Sequence, residues 1–271
     1  MHLPSAHHLQ GLWSRQFLQH DGAAPDTTSS VSWLQGPRFF ADLRQPAELA
    51  EFRGIRCLRE LNATQTLELA RQSGFAGALE YDGSTAHWHR MIDYQPDSGV
   101  PDRAAVQFDN EVLVETGLAA RYLERWVRVP QSAETSRGLA LRSRDSRSSG
   151  YLVQAGEWLM FARNRRMPGL PRGRTLGQLL AAAQTLEEQQ NLVDLEISLG
   201  RRAGDAWTIQ RSTLPYKCGR EWEITVGAEV AMEDLTDTGE PITRRWEILG
   251  VDSSEGTTVA TESLRSGVGP S

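Results

Sequence analysis

The sequence predicts a mainly β protein built from two tandem antiparallel barrels, each accompanied by one helix. Short runs of aromatic and β-branched residues recur at hairpin spacing, bounded by turn pairs such as Asp82-Gly83. Only two segments, 63–72 and 176–191, have the apolar periodicity of a helix. One helix falls in each half of the chain, which indicates a repeated architecture.

The landmarks of the first half return in the second half in the same order. Each half has a tryptophan-containing strand, then a helix, then a tryptophan hairpin, then a strand with an Arg-Trp pair. The first half places them at 33–44, 63–72, 75–88 and 122–127, and the second half at 158–165, 176–191, 193–207 and 243–248. The sequence therefore predicts an internal duplication.

Composition along the chain predicts the domain boundaries. The segment 131–149 follows Pro130 and is rich in Ser and Arg, which is typical of a linker. The segment 253–271 has few large apolar side chains and many Ser, Thr and Gly, so we expect a disordered tail there. The predicted barrel domains are then 1–130 and 150–252.

Hydropathy and charge argue against two classes of partner. Hydrophobic residues make up 39% of the 271 residues, and no apolar run approaches the roughly 18 residues of a membrane-spanning helix. The N-terminal residues lack a basic start followed by an apolar stretch, so we expect a cytoplasmic protein. A net charge of −6 argues against sequence-independent binding to nucleic acid, which needs a dense basic surface. We therefore expect neither a membrane nor a nucleic acid as partner.

The cysteines and histidines give weak support for a metal site. Cys57 and Cys218 lie in different halves, which favours neither a disulfide framework nor a cysteine metal site. His87 and His89 share one strand face, a geometry that metal sites in β proteins use, and Asp93 lies further along that face. Because the spacing marks no third ligand, we expect no metal and no cofactor.

Alternation along the strands predicts which side chains point into the first barrel. Trp88, Arg90, Ile92 and Tyr94 share the face that we assign to the interior. On the predicted last strand of this barrel, Glu124 shares a face with Trp126. A buried charge without a partner is costly, so Arg90 and Glu124 should pair with each other, with another inward polar group, or with a ligand. A structural ion pair and a ligand site both fit this pattern.

Several motifs of the first half resemble those of a known family. They are Trp33-Leu34-Gln35, Phe40-Ala41-Asp42-Leu43-Arg44, Gly74-Phe75-Ala76-Gly77, Glu115-Thr116-Gly117, and the runs 88–96 and 122–126. Residues 12–130 thereby resemble a little-characterised group of bacterial proteins, which is similar in turn to a yeast casein-kinase-interacting protein. The resemblance implies two lipocalin-like (calycin-type) β-barrels and groups the polar residues of these motifs in the first barrel. It implies no particular activity.

We expect the first barrel to bind a small apolar or aromatic organic molecule. Eight tryptophans, many of them on predicted strands, favour an aromatic-lined interior. The expected ligand-binding residues are Trp33, Gln35, Asp42, Arg44, Trp88, Tyr122 and Trp126, with Arg90 and Glu124 as polar anchors.

Two other functions fit the same sequence. An acid–base enzyme, such as an isomerase, cyclase or lyase, would use Glu124, Asp93 or His89 as its acid or base and Arg90 to stabilise negative charge. The sequence has no nucleophile elbow and no phosphate-binding loop. A protein-interaction module that uses a barrel edge or the Arg-rich linker is the third alternative. The sequence leaves the oligomeric state open.

Overall fold

The described residues of the chain fold into two antiparallel β-sheets and three short α-helices. The computed structural model describes residues 6–49, 52–133, 135–145, 148–167 and 169–254, together with the backbone of 262–264. This architecture confirms the predicted mainly β fold class. Among the described residues, no helix has the length and apolar character that crossing a bilayer requires.

The first sheet is a closed barrel in which each strand pairs with the next along the chain. Its strands are β1 (Gly11–His20), β2 (Ser29–Gln35), β3 (Phe39–Pro46), β4 (Ser73–Tyr81), β5 (Thr85–Asp93), β6 (Arg103–Asp109), β7 (Val112–Gly117) and β8 (Tyr122–Arg128). Pairing of β8 with β1, which places Trp126 opposite Arg15, closes the barrel. Alternation along these strands divides the side chains between an interior and an exterior face.

The second sheet repeats this order of pairing but stays open on one side. Its strands are β9 (Ser136–Ser143), β10 (Ser149–Ala155), β11 (Trp158–Arg163), β12 (Glu196–Ala203), β13 (Ala206–Ser212), β14 (Ile224–Val226), β15 (Glu229–Leu235), β16 (Pro241–Ser253) and β17 (Glu262–Leu264). β16 pairs with β9 as β8 pairs with β1. In the described chain, β13 makes one isolated bridge, from Thr208 to Glu221, in place of a ladder with β14. The second sheet is therefore a half-barrel with a gap between these two strands.

Each helix begins with a capping box, in which an N-cap side chain and the third helical residue bond each other's backbone. The helices and their boxes are α1 (Ala63–Leu69) with Asn62 and Gln65, α2 (Leu176–Ala182) with Thr175 and Gln178, and α3 (Leu186–Val193) with Thr185 and Glu188. The prediction of a single helix over 176–191 is wrong, because Ala183 leaves the helical conformation and Thr185 then caps a new helix.

In the part of the chain that the structure describes, buried apolar side chains form three clusters. One fills the first barrel and includes Trp13, Trp33, Trp88 and Trp126, and another fills the half-barrel and includes Phe161, Trp207, Trp222 and Trp246. The third and largest lies between the two sheets and joins side chains of both, among them Leu43, Tyr94, Val153 and Ile197. The exterior faces of β3, β4, β10 and β12 are thus buried against each other, and the two halves share a core.

A bulge in the β4–β5 hairpin reverses part of the predicted interior face. The register shifts at Gly77, which leaves Met91 without a partner across the ladder. Beyond the bulge, Ile92 and Tyr94 pack in the cluster between the sheets rather than inside the barrel. The predicted face is right for Trp88 and wrong for Ile92 and Tyr94.

The β12–β13 hairpin has a bulge at the corresponding place, where the register shifts between Leu199 and Gly200. Both bulges need glycine because of close contacts. A Cβ at Gly77 would overlap the carbonyl oxygen of His89, and a Cβ at Gly200 would lie 2.9 Å from the ring of Trp222. The bulge therefore repeats in the two halves together with the order of strand pairing.

The segment between the sheets contains a strand rather than a linker. Ser136–Ser143 forms β9 within the predicted linker 131–149, and Leu139 and Leu141 pack in the core of the half-barrel. The prediction rested on the Ser and Arg content and overlooked this apolar alternation. β16 reaches the beginning of the predicted tail 253–271, most of which lies outside the described residues.

Candidate functional site

The interior of the first barrel contains a network of buried charges. Glu124 accepts hydrogen bonds from Arg15 Nη1 at 2.5 Å and from Arg44 Nη1 at 3.4 Å. Arg44 Nε also donates to Asp42 Oδ1 at 2.7 Å. Asp42, Glu124 and the side chain of Arg15 are all buried. Pairing with opposite charges offsets much of the cost of removing these groups from water.

Glu115 is a further buried carboxylate beside this network. It accepts hydrogen bonds from the Tyr122 hydroxyl at 2.7 Å and from Trp126 Nε1 at 3.1 Å. Burial, and then the negative charge of Glu124, raises the pKa of Glu115 to about 8. Glu115 therefore keeps its proton at neutral pH.

The aromatic side chains that we expected to line a ligand pocket pack against one another. Trp33 lies edge to face with Trp88 and with Trp126, and the ring centroids are 5.7 Å apart in both pairs. Trp33 Nε1 donates to Gln35 Oε1 at 3.2 Å, so the Gln35 carbonyl is occupied within the protein. The space beside these side chains is a cavity of about 10 Å³, which holds about one water molecule. An organic ligand enclosed here would require the barrel to open.

Arg90 pairs with aspartates rather than with Glu124. Its guanidinium lies 2.7 Å from Asp102 and 3.3 Å from Asp93, and it covers the Phe75 ring at 3.5 Å from the centroid. The Arg90 side chain is 35% exposed, which places it at the surface of the barrel. Arg90 and Glu124 thus belong to two separate ion-pair groups.

The four predicted catalytic residues consequently do not converge on one point. Glu124 belongs to the interior network, whereas Arg90, Asp93 and His89 line a polar groove of about 740 Å³ beside β5. His89 Nε2 also lies 3.1 Å from an oxygen of Glu80. This groove extends onto the second half of the chain.

A cleft of small-molecule size lies in the half-barrel. Its volume is about 360 Å³, within the range of ligand sites. The apolar side chains that line it include Phe161, Ile209, Trp222, Met232 and Trp246. One wall belongs to the segment 217–223, whose backbone bonds β13 at the gap in the sheet. The open side of the half-barrel is thus where the cleft forms.

Four charged side chains meet in this cleft. Lys217 Nζ donates to Glu196 Oε2 at 2.5 Å and to Asp234 Oδ1 at 2.6 Å, and Arg244 donates to Asp234 as well. Lys217 is only 6% exposed and Glu196 only 1%. Although burial opposes its ionisation, Lys217 and Arg244 hold the pKa of Asp234 well below its ordinary value. The formal charges of the two cationic and the two carboxylate side chains balance.

The rim of the cleft and one buried donor indicate the kind of ligand that fits. Glu221, Glu223 and Glu233 line the exposed side together with Arg220, so the rim is mainly negative. A negative rim favours neutral or cationic molecules over anions. The indole N–H of Trp246, a residue that also lines the cleft, is buried and has no acceptor among the described residues.

Sequence reasoning placed the site in the first half and missed this cleft. Its charged residues lie on β12, β15, β16 and the segment after β13, so no short motif joins them. One signal was available, because Lys217 is the only lysine among 29 lysines and arginines. A single lysine in an arginine-rich chain indicates a position that needs a compact ammonium group rather than a planar guanidinium.

Comparisons with known proteins assign no function to this chain. No family model matches the chain, and no curated protein matches it. Among solved structures, the chain is similar to the uncharacterised protein YLR301w of Saccharomyces cerevisiae, with 14% sequence identity and a TM-score of 0.49. The similarity covers 89% of this chain and 98% of the yeast chain. The implied relation to a casein-kinase-interacting protein stays a prediction.

Proposed function

We propose that the protein binds a small organic molecule in the cleft of the half-barrel. The ligand has an aromatic or apolar body and a neutral or cationic polar group. The observation that carries this proposal is the difference in space beside the interior aromatic side chains, which is about 360 Å³ in the cleft of the half-barrel and about 10 Å³ beside Trp33, Trp88 and Trp126 in the first barrel. This proposal keeps the expected class of ligand and moves its site to the other half.

The apolar wall supplies the binding energy. Phe161, Trp222 and Trp246 stand close together, with the Phe161 ring centroid 6.3 Å from that of Trp222 and 5.4 Å from that of Trp246. Apolar surface that a ligand buries against them is worth about 25 cal/mol per Å². Aromatic faces also attract cationic groups, which agrees with the negative rim.

The ionic cluster supplies the polar end of the site. Lys217 uses two N–H donors on Glu196 and Asp234, and an ammonium group has a third. The charges of the cluster already balance. A ligand hydroxyl or carbonyl oxygen can therefore accept a hydrogen bond from the third N–H of Lys217 without bringing a charge of its own. The cleft therefore suits a molecule with one polar end.

Fluorescence titration with N-phenyl-1-naphthylamine, a neutral aromatic amine, tests the proposal on the full chain. We expect a saturable increase in probe fluorescence. Met232→Phe places a bulkier aromatic side chain in the cleft and should raise the dissociation constant at least about tenfold, or about 1.4 kcal/mol. Trp88→Phe is the matched control in the first barrel and should leave binding unchanged. Urea midpoints of both variants check that they are folded.

Two results would contradict the proposal. One is the absence of saturable binding by the probe and by a panel of small aromatic and aliphatic amines. The other is loss of binding in Trp88→Phe with unchanged binding in Met232→Phe, which would assign the ligand to the first barrel.

An acid–base enzyme in the first barrel is the second candidate, and one observation favours it. Glu115 is protonated at neutral pH and lines the small interior cavity together with Asp42 and Arg44. Substrate would reach it only after the barrel opens. Trp88→Phe, next to this cavity, would then change turnover of a candidate substrate, whereas Met232→Phe would not.

A further inference from the structure

The outer face of the β4–β5 hairpin brings together two imidazoles and a carboxylate. Glu80 lies directly opposite His87 in the antiparallel ladder. His89 follows two residues later on the same face, diagonal to Glu80. The sequence shows the two histidines at this spacing, and the hairpin register adds the third side chain.

The distances suit a metal ion. One nitrogen of each histidine and one oxygen of Glu80 all lie within 4.8 Å of one another. His89 Nε2 is 3.1 Å from Glu80 Oε2, and the two imidazole ring centroids are 3.8 Å apart. Zinc binds nitrogen and oxygen at about 2.0 to 2.2 Å, which separates neighbouring tetrahedral ligands by about 3.4 Å. Small side-chain rotations at this surface would bring the three atoms to that spacing.

The ligand atoms, two imidazole nitrogens and one carboxylate oxygen, indicate the class of metal. Two imidazoles with one carboxylate suit Zn²⁺, Co²⁺, Ni²⁺ or Cu²⁺, whereas Mg²⁺ and Ca²⁺ prefer oxygen ligands throughout. Three protein ligands leave at least one coordination position for water or another molecule. His87 and His89 both line the 740 Å³ groove, so such a molecule has room.

Charged side chains of both signs surround these three residues. Arg103 lies opposite His87 on β6 and opposes a cation. Asp102 lies next to it, paired with Arg90, and Glu80 supplies the other negative charge. The carboxylates therefore offset the arginines around the site.

We propose that Glu80, His87 and His89 bind one divalent transition-metal ion, with Zn²⁺ as the physiological type. This site is separate from the proposed ligand cleft, since it lies on the exterior of the other barrel. The result of a metal-binding experiment therefore neither supports nor contradicts the proposed ligand cleft.

Isothermal titration of the metal-free full chain with Zn²⁺ tests the site, and Co²⁺ serves as a spectroscopic probe. We expect one ion per chain and a visible Co²⁺ absorption typical of four-coordinate nitrogen and oxygen ligation. His89→Ala and Glu80→Gln should each weaken Zn²⁺ binding more than about tenfold, because loss of even an outer-shell partner costs 10 to 100-fold. Both side chains are exposed, so these variants should fold normally.

Two controls separate this site from other donors. His7 and His8 are adjacent near the N-terminus, and Cys218 is an exposed thiol. The variant His7→Ala with His8→Ala and the variant Cys218→Ser should both bind Zn²⁺ like the wild type. If either of them loses the ion while His89→Ala retains it, or if no variant alters binding, the proposed site is wrong.

Discussion

Replacing Glu115 by glutamine tests the electrostatics of the first barrel. The buried carboxyl accepts hydrogen bonds from Tyr122 and Trp126, and burial with the nearby charge of Glu124 raises its pKa to about 8. Glutamine has nearly the same shape, stays neutral at every pH and can bond the same two partners. Glu115→Gln thus imitates the protonated wild type.

The magnitude follows from proton linkage. In the unfolded chain the carboxyl titrates near 4.5, and in the folded chain near 8. Below pH 4.5 both states carry the proton, so the free energy of unfolding does not change with pH through this group. Between the two values only the folded state binds the proton, so stability falls by about 1.4 kcal/mol for each pH unit. The wild type should lose roughly 5 kcal/mol from this group by about pH 8, and no more above it.

Urea denaturation followed by tryptophan fluorescence measures this loss. At about pH 5, Glu115→Gln should match the wild type within about 1 kcal/mol, and at about pH 9 it should exceed it by several kcal/mol. Glu111→Gln, at an exposed residue of the turn between β6 and β7, is the control and should follow the wild type throughout. Parallel stability curves for the wild type and Glu115→Gln would refute the raised pKa.

Two further predictions concern stability. Lys217→Met removes the ammonium group from the buried Glu196 and the partly buried Asp234 and should lower the free energy of unfolding by about 3 to 5 kcal/mol. Arg201→Met, at an exposed ion pair, should cost at most about 1 kcal/mol in the same urea experiment. Equal losses would contradict the buried cluster. Gly77→Ala should lower the thermal midpoint because the new Cβ overlaps a strand carbonyl, and Gly169→Ala, with open space around it, should not. A Gly77→Ala midpoint equal to that of wild type would show that the bulge needs no glycine.

The features that could be predicted from the sequence are those that local residues determine. The fold class follows from strand patterns and turn pairs, and α1 begins at residue 63, where the predicted helical segment 63–72 begins. Trp88 and Trp126 lie inside the first barrel because alternation along a strand is a local property. These predictions needed no knowledge of distant contacts.

The wrong predictions about the barrel interior and the site concern features that depend on distant parts of the chain. A single extra residue at Met91 turns Ile92 and Tyr94 outward, and their new environment is provided by the other sheet. The charged cleft needs Glu196 and Asp234 to meet across strands of the half-barrel. Periodicity within one strand carries no information about such partners.

The core between the two sheets has a consequence for the integrity of the chain. Side chains such as Leu43 and Ile197 are buried only because both halves are present. Cleavage of the peptide backbone between residues 133 and 135 should therefore give two pieces that aggregate when separate and reassemble when mixed. The protein would then work as a split pair, in which recovery of the native fluorescence reports that the two pieces have met.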